Sequence, residues 1–240
     1  MEKENKLYEG KAKIIYSTSD PSLVIQYFKD DATAFDATKR GTIIDKGIYN
    51  NKISTAIFKL LEKEGIPTHF VRRIDDREML VKKLTIFPIE VVVRNRIAGS
   101  LAKRFGMEEG GELQAPILEF FYKDDALHDP MINENHIRVF GFASDDDLAY
   151  IKDISLKVNR ILKNFFEELD IILVDFKLEF GKTPSGSICL ADEITPDGCR
   201  LWDKNTLKKL DKDRFRRDLG EVEDAYQEVF KRVCKEADIQ

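Results

Sequence analysis

An aspartate, a lysine and a glutamate fall at every second position of one apolar run, Leu173-Val174-Asp175-Phe176-Lys177-Leu178-Glu179-Phe180-Gly181. A β-strand puts Asp175, Lys177 and Glu179 on one face and Val174, Phe176, Leu178 and Phe180 on the other. Residues 181–187, Gly-Lys-Thr-Pro-Ser-Gly-Ser, form a turn signal, and Ile188-Cys189-Leu190-Ala191 reads as the returning strand. Such a hairpin brings Asp192 or Glu193 beside Lys177 and Glu179; the choice depends on a register that spacing leaves open. Carboxylates gathered round one lysine repel each other unless a cation sits among them. Magnesium carrying phosphate suits that place, because it takes one or two carboxylates and completes its shell with phosphate oxygens and water. The same pattern also describes a solvated strand face with an internal Lys–Glu pair.

Other segments carry anion-binding chemistry. Tyr8-Glu9-Gly10-Lys11-Ala12-Lys13 is a glycine turn with two lysines, able to lie over phosphates through backbone N–H groups and an ammonium charge. A solvated basic hairpin is the plainer alternative. Phe87 to Arg96 is a β-branched run ending in Arg94-Asn95-Arg96, after which Ala98-Gly99-Ser100 opens a helical stretch, residues 101–105. Two arginines of one strand parity beside a helix start make a candidate phosphate or carboxylate cradle. Ser100 as a simple helix cap is the rival reading. Arg200-Leu201-Trp202-Asp203 and the mixed-sign run 212–218 add arginines, though such runs are usually solvated helix faces. Residues 30–36 form a polar loop, ligand-binding or merely a turn. No Walker A pattern and no G-x-G-x-x-G occurs, which leaves a nicotinamide cofactor unsupported.

These groups need elements to hold them. The pattern predicts strands over 7–16 (turning at Gly10), 23–28, 68–74, 79–84 and 89–94, and helices over 50–64, 145–169, 204–210 and 222–237. The class is α+β with mainly antiparallel sheets, and the lobe break falls near residues 82–88. At 240 residues the chain can bury a core as one domain or two closely joined lobes. A net charge of −5 gives no gross electrostatic reason to hold nucleic acid, and no run approaches a membrane span. The N-terminal residues lack the apolar core of a signal peptide, and Cys189, Cys199 and Cys234 lack metal spacing. A cytoplasmic protein with reduced thiols is expected. Three histidines, His69, His128 and His136, make a His-rich zinc site improbable.

Taken in order, these segments resemble the phosphoribosylaminoimidazole-succinocarboxamide synthase (SAICAR synthetase) family of purine biosynthesis. The resemblance covers nearly the whole chain: residues 8–13, 31–36, 88–100, 175–181, 192–197, 200–203 and 215–218. Departures are small; Thr195 stands where serine is common, and Asp36-Ala37 where a glycine often follows the acid. The resemblance implies a two-lobed α+β fold, its N-terminal antiparallel-sheet lobe (residues 1–84) similar to a kinase nucleotide lobe and a larger α+β lobe over 85–240. It implies a ligase that uses ATP and Mg2+ to join carboxyaminoimidazole ribonucleotide (CAIR) to L-aspartate, with ADP and phosphate released through an acyl phosphate. Gly10, Lys11, Ala12 and Lys13 would then cover the ATP phosphates, with the adenine against the Leu80 to Leu84 connection, where Lys82 and Leu84 would bind ATP. Glu179 and Asp192 would hold magnesium, and Lys177 would neutralise the transferring phosphoryl group. Asp36 and Glu90 would lie near the imidazole carboxylate; Arg94, Ser100, Arg200 and Arg216 would grip the ribonucleotide's phosphate and carboxylate. Asp175 would orient Lys177. A homodimer or larger homo-oligomer is expected, with no nucleic-acid or membrane partner. The aspartate site is left open, with residues 125–130 as one suspect, His128 there being structural. Residues 107–114 are either a lid or a flexible connection. A metal-dependent nuclease, a small-molecule kinase and a non-catalytic nucleotide-binding module are the rivals.

Overall fold

Short β-branched and aromatic runs open the chain and pair in a five-stranded antiparallel sheet. The structure, a computed structural model, describes residues 2–34 and 38–234. Strands β1 (Lys6–Glu9), β2 (Lys13–Ser17) and β3 (Leu23–Phe28) are followed by a small hairpin of β4 (Asp31–Ala34) and β5 (Lys39–Thr42). Helix α1 (Lys46–Lys63) precedes β6 (Phe70–Arg73) and β7 (Glu78–Lys82), and the sheet order is β1-β2-β3-β7-β6. Helix α1 begins four residues before the pattern predicts, because its first turn is fixed by tertiary contacts. Gly47 N–H donates to the Asp30 carboxylate at 2.9 Å, and a Cβ on Gly47 would run into the Phe28 carbonyl. The helix ends as expected at Gly65, whose φ is +79°. Gly65 N–H donates to Glu62 O and Ile66 N–H to Leu61 O, a Schellman ending.

Between Lys82 and Thr85 the chain passes to a second antiparallel sheet. Its members are β8 (Thr85–Arg96), β9 (Glu112–Tyr122), β10 (Met131–Ile132), β11 (Ile171–Lys182), β12 (Ile188–Ala191) and β13 (Cys199–Asp203). Helices α2 (Gly99–Phe105), α3 (Glu134–Val139) and α4 (Asp145–Glu168) lie between these strands. Short α5 (Asp213–Arg216) and α6 (Val222–Val233) close the described chain. The order is β10-β9-β8-β11-β12, with β13 also on β11. A Ser144/Asp147 capping box starts α4, and its buried Leu148, Ile151, Ile154, Val158, Leu162 and Phe166 cover the sheet. One core cluster runs through both sheets, from Val24 and Phe58 to Phe176 and Val229. A parallel bridge, Thr68 to Leu190, joins them directly, and α6 packs back on α1. The chain therefore has the two-lobed α+β fold. No helix among the described residues is long and apolar enough to cross a membrane, and the three cysteines are free and buried.

Two expectations fail here. Residues 204–210 are not a helix. The Asp203 carboxylate takes the N–H groups of Asn205 and Thr206 and Leu207 sits at φ +58°, so the side chain competes for the backbone and ends the turn. Nor do all four apolar side chains of the acidic strand share a face. Between Leu173 and Asp175 the β11–β13 register slips. This bulge puts Val174 with Ala98 and Trp202, while Phe176, Leu178 and Phe180 enter the main core.

Candidate active site

Strand β11 presents Lys177 at the centre of four acids and two further lysines. Its Nζ donates to Glu90 Oε1 at 2.9 Å and Glu179 Oε1 at 2.5 Å, and lies 3.2 Å from Asp192 Oδ2. Glu90 is the direct cross-strand partner of Glu179 on β8, and two like charges so placed need a cation between them. The β11–β12 register sets Glu179 opposite Ala191. The next residue, Asp192, turns back at φ +63° and is the acid that reaches Lys177. Glu193 points instead to Lys13, 3.2 Å from its Nζ, and Lys13 also pairs with Asp192. The second oxygen of Glu179 takes Lys123, just beyond β9. Burial works against the charge on Lys177, yet Asp192, Glu179 and Glu90 together outweigh it and raise its pKa well above the ordinary ammonium range. For Asp192 burial is likewise outweighed, by Lys13, Lys177 and Lys123, and the carboxylate is held ionised. Burial pushes the carboxyls of Glu90 and Glu193 up.

At the other end of the same cleft the cations are arginines. Asp175 lies between Arg94 (Nη1 to Oδ2, 2.8 Å) and Arg200 (Nη1 to Oδ2, 2.9 Å), not against Lys177. Arg94 is buried and spends its other nitrogens on Glu119 (2.7 Å) and on the Ser100 hydroxyl (2.8 Å). Ser100 is thus no helix cap; the cap position is Ala98, and the Gly99 N–H donates to Glu109 at 3.0 Å. Gly99 combines φ +54° with an Arg200 guanidinium where its Cβ would lie, so only glycine fits. Asp213 holds Arg200 Nε at 2.9 Å and Arg216 Nη1 at 2.6 Å. Burial opposes its charge, but the two arginines prevail and hold Asp213 down to about 2. Asp211, fully buried, accepts the N–H groups of Leu201 and Asp213; burial and the Asp213 charge push it up to about 7.

The ends differ in formal charge. Lys13, Lys123 and Lys177 face Glu90, Glu179, Asp192 and Glu193, leaving one negative charge. Arg94, Arg104, Arg200, Arg216 and Lys212 face Glu119, Asp175 and Asp213, leaving two positive charges. The first end calls for a cation and the second for an anion. Both line one cleft of about 500 Å³, roofed by the Gly10–Lys13 turn. An apolar pocket of about 280 Å³ adjoins it, lined by Leu7, Ile15, Val24, Val81, Leu84 and Ile86. Tyr8, Lys13, Lys123, Glu179 and Asp192 border both spaces. His69 lies at that pocket, held down to about 3 by burial and so neutral.

The SAICAR synthetase family model matches residues 6–233. The phosphoribosylaminoimidazole-succinocarboxamide synthase of Thermoanaerobacter sp. (strain X514) is 58% identical over 97% of this chain and 99% of that protein. The chain belongs to the SAICAR synthetase family. It is therefore a ligase of purine biosynthesis, which sets aside the nuclease, kinase and binding-module readings. Among solved relatives, the Ehrlichia chaffeensis synthase superposes with a TM-score of 0.94 at 51% identity, covering 95% of this chain and 98% of that one. A SAICAR synthetase in complex with ADP gives 0.91 at 52% identity, covering 94% and 96%.

Within this SAICAR synthetase fold, Gly10, Lys11, Ala12, Lys13, Glu90, Arg94, Ser100, Lys177, Glu179, Asp192, Arg200 and Arg216 all line the large cleft. Lys82 and Leu84 line the apolar pocket, with Lys82 Nζ turned to the Thr68 carbonyl at 3.0 Å. Asp36 lies outside the described residues. Asp125 and Asp129 of the suspected segment line the cleft, whereas His128, which does not line it, ends a short 3-10 turn at φ +61°. Residues 110–111 are tied to Ile97 by backbone hydrogen bonds at 2.8 Å. Asp129, Asp197 and Lys212, each inside a segment the sequence marks but not given a role there, also line the cleft, as does Lys123, which no marked segment contains. Lys212 and Asp213 sit in a mixed-sign run that looks solvated, and the i,i+3 pair of Asp213 and Arg216 is a spacing that a surface helix shows as well.

Proposed function

We propose that the cleft joins the CAIR carboxylate to the amino group of L-aspartate at the expense of ATP. The apolar pocket takes the adenine, between the two sheets, which we read as the lobes 1–84 and 85–240. The ATP phosphates then cross its border into the cleft beneath the Gly10–Lys13 turn, where Lys13, Lys123 and Lys177 stand. The ribonucleotide phosphate lies at the arginine end, on Ser100, Arg200 and the free side of Arg216. Arg94, whose nitrogens are all engaged, positions Ser100 and Asp175. One observation carries this reading: Lys177 contacts three carboxylates where the apolar pocket meets a cleft whose far end is positive.

The chemistry needs two steps. A carboxylate oxygen of CAIR attacks the γ-phosphorus and ADP departs, which makes the carboxyl carbon an acyl donor. The amine of aspartate attacks that carbon, loses a proton, and phosphate leaves with the former carboxylate oxygen. Lys177 stabilises the equatorial oxygens of the transferring group, and the cleft holds carboxylate and phosphate in line. Glu90 beside it keeps the lysine aimed and adjoins the acceptor carboxylate. Among the described residues no three His, Cys, Asp or Glu side chains converge as metal ligands. Glu179 and Asp192 share one ammonium and offer only hard oxygens, a donor set that suits Mg2+ arriving with phosphates rather than an all-protein cage. Bound there, Mg2+ would neutralise phosphate charge. Release of ADP from magnesium-ATP, with CAIR and L-aspartate supplied together and each omitted in turn, tests the reading. Release that needs both, with equimolar succinocarboxamide, is expected; release with neither substrate required, or none at all from folded protein, overturns it.

A further inference from the structure

Once the ion pairs of the cleft are assigned, one cation is left over among the described residues. Lys212 lines the cleft beside Arg200 and Arg216, and its ammonium has no hydrogen-bond or ion-pair partner among the described residues. Its backbone is fixed on both sides. The N–H donates to Pro196 O at 3.1 Å, and the carbonyl accepts from Arg216 N at 3.0 Å. Two acids lie nearest in charge, Asp197 and Glu193, and both are taken. Asp197 is held by Lys46 (2.6 Å), Asn50 (3.1 Å) and Tyr226 (2.5 Å). Glu193 is held by Lys13 and by the Thr195 hydroxyl. Burial accordingly pulls the Lys212 ammonium below its usual range. Lys212 is half-buried at the cleft wall, and a cation there that no described acid of its own chain meets is open to an anion entering the cleft.

On the ligase reading above, the anion is not the nucleotide. Lys212 does not line the apolar pocket, and the residues that border both spaces, Lys13 and Lys123 among them, lie along the route to it. We propose that Lys212 anchors a carboxylate or phosphate oxygen of one of the other two substrates, the ribonucleotide or the amino acid. This rests on the ligase reading above. It makes Lys212 a binding residue for the acceptor side of the reaction and explains why the positive end of the cleft carries charge beyond its arginine pairs.

Steady-state kinetics of Lys212→Met and Lys212→Arg, each substrate varied in turn, test the assignment. Lys212→Met should raise the KM of one non-nucleotide substrate at least tenfold and leave that of ATP within twofold, with Lys212→Arg recovering most of the loss. A rise confined to CAIR identifies the ribonucleotide as the source; one confined to L-aspartate identifies the amino acid. Changes under twofold for both, or an equal rise for all three, overturn the proposal. A second measurement uses the unaltered protein: reductive methylation with formaldehyde and borohydride, read at the Lys212 peptide by mass spectrometry. Saturating CAIR or L-aspartate should slow labelling at least fivefold, and no protection by either overturns the proposal whether or not the variant folds. If the unaltered protein forms no succinocarboxamide, the ligase reading fails by itself, and the labelling result still decides the anchor.

Discussion

The two ends of the cleft use the same kinds of acid with different bases, and the difference separates moving charge from holding it. At the lysine end, three ammonium groups on flexible stems share four carboxylates. Each lysine is a point charge that can exchange partners as phosphates arrive. At the arginine end, planar guanidiniums lock two nearly inaccessible aspartates, Asp175 and Asp213, from fixed directions. The first arrangement tolerates a change of charge during a reaction. The second gives a rigid grip whose shape survives binding.

The comparison breaks most sharply at Lys177. Lys177→Met should lower turnover by roughly 10²–10³-fold, the usual loss when one preorganised group facing developing charge is removed, while CAIR binding changes little. Turnover within a few-fold of normal would end the distinction. Arg200→Gln should act on the other side. It leaves Asp175 and Asp213 short of a partner, so stability should fall by about 3–5 kcal/mol in urea titration, and the KM for CAIR should rise with it. Glu179→Gln sharpens the lysine end: the apparent affinity for magnesium-ATP should drop about tenfold, the scale of one charge-assisted contact, and equal losses for CAIR would count against the metal assignment.

Acid titration separates the ends further. Asp211, pushed up to about 7 from 3.8, binds its proton more tightly folded than unfolded. Its contribution is full below pH 3.8 and is lost as pH rises towards 7. Asp213, held down to about 2, works the other way, and its contribution is lost as pH falls through that value. Asp211→Asn should therefore flatten the pH 4–7 slope of stability, read by thermal melts across that range; an unchanged slope would refute the buried neutral form. The smallest effect belongs to the exposed Lys11–Asp125 pair, 2.7 Å apart across the cleft mouth. Asp125→Asn should shift stability by no more than about 0.5 kcal/mol, and a larger shift would mean that the turn and the second sheet are strapped together.

Much of this was legible before the structure, for physical reasons that differ by element. Strand alternation in 175–179 is strict, and one buried face forces the other to carry the acids. The helix at 145–169 announces itself by a wide apolar stripe. Register did not show, because Asp192 reaches Lys177 only through a left-handed residue after β12. The bulge at Val174 was hidden for the same reason: one extra residue reverses parity without changing composition. Strand β9 gave no signal, since most of Glu112 to Leu118 is exposed on both faces and Pro116 interrupts it. Missing β9 meant missing Lys123 at its end. The run at 212–218 misleads because Asp213 and Arg214 are buried, Asp213 against Arg200 of strand β13, and pairing across elements leaves no trace in one-dimensional spacing.

The division of labour rests finally on the carboxylate oxygen. CAIR labelled with 18O in its carboxylate should be turned over with ATP and L-aspartate, and the released phosphate analysed by mass spectrometry. The account predicts one 18O atom in each phosphate, carried there from the carboxylate through the acyl phosphate formed at the lysine end. Phosphate free of label, with normal yield of the amide, would contradict it.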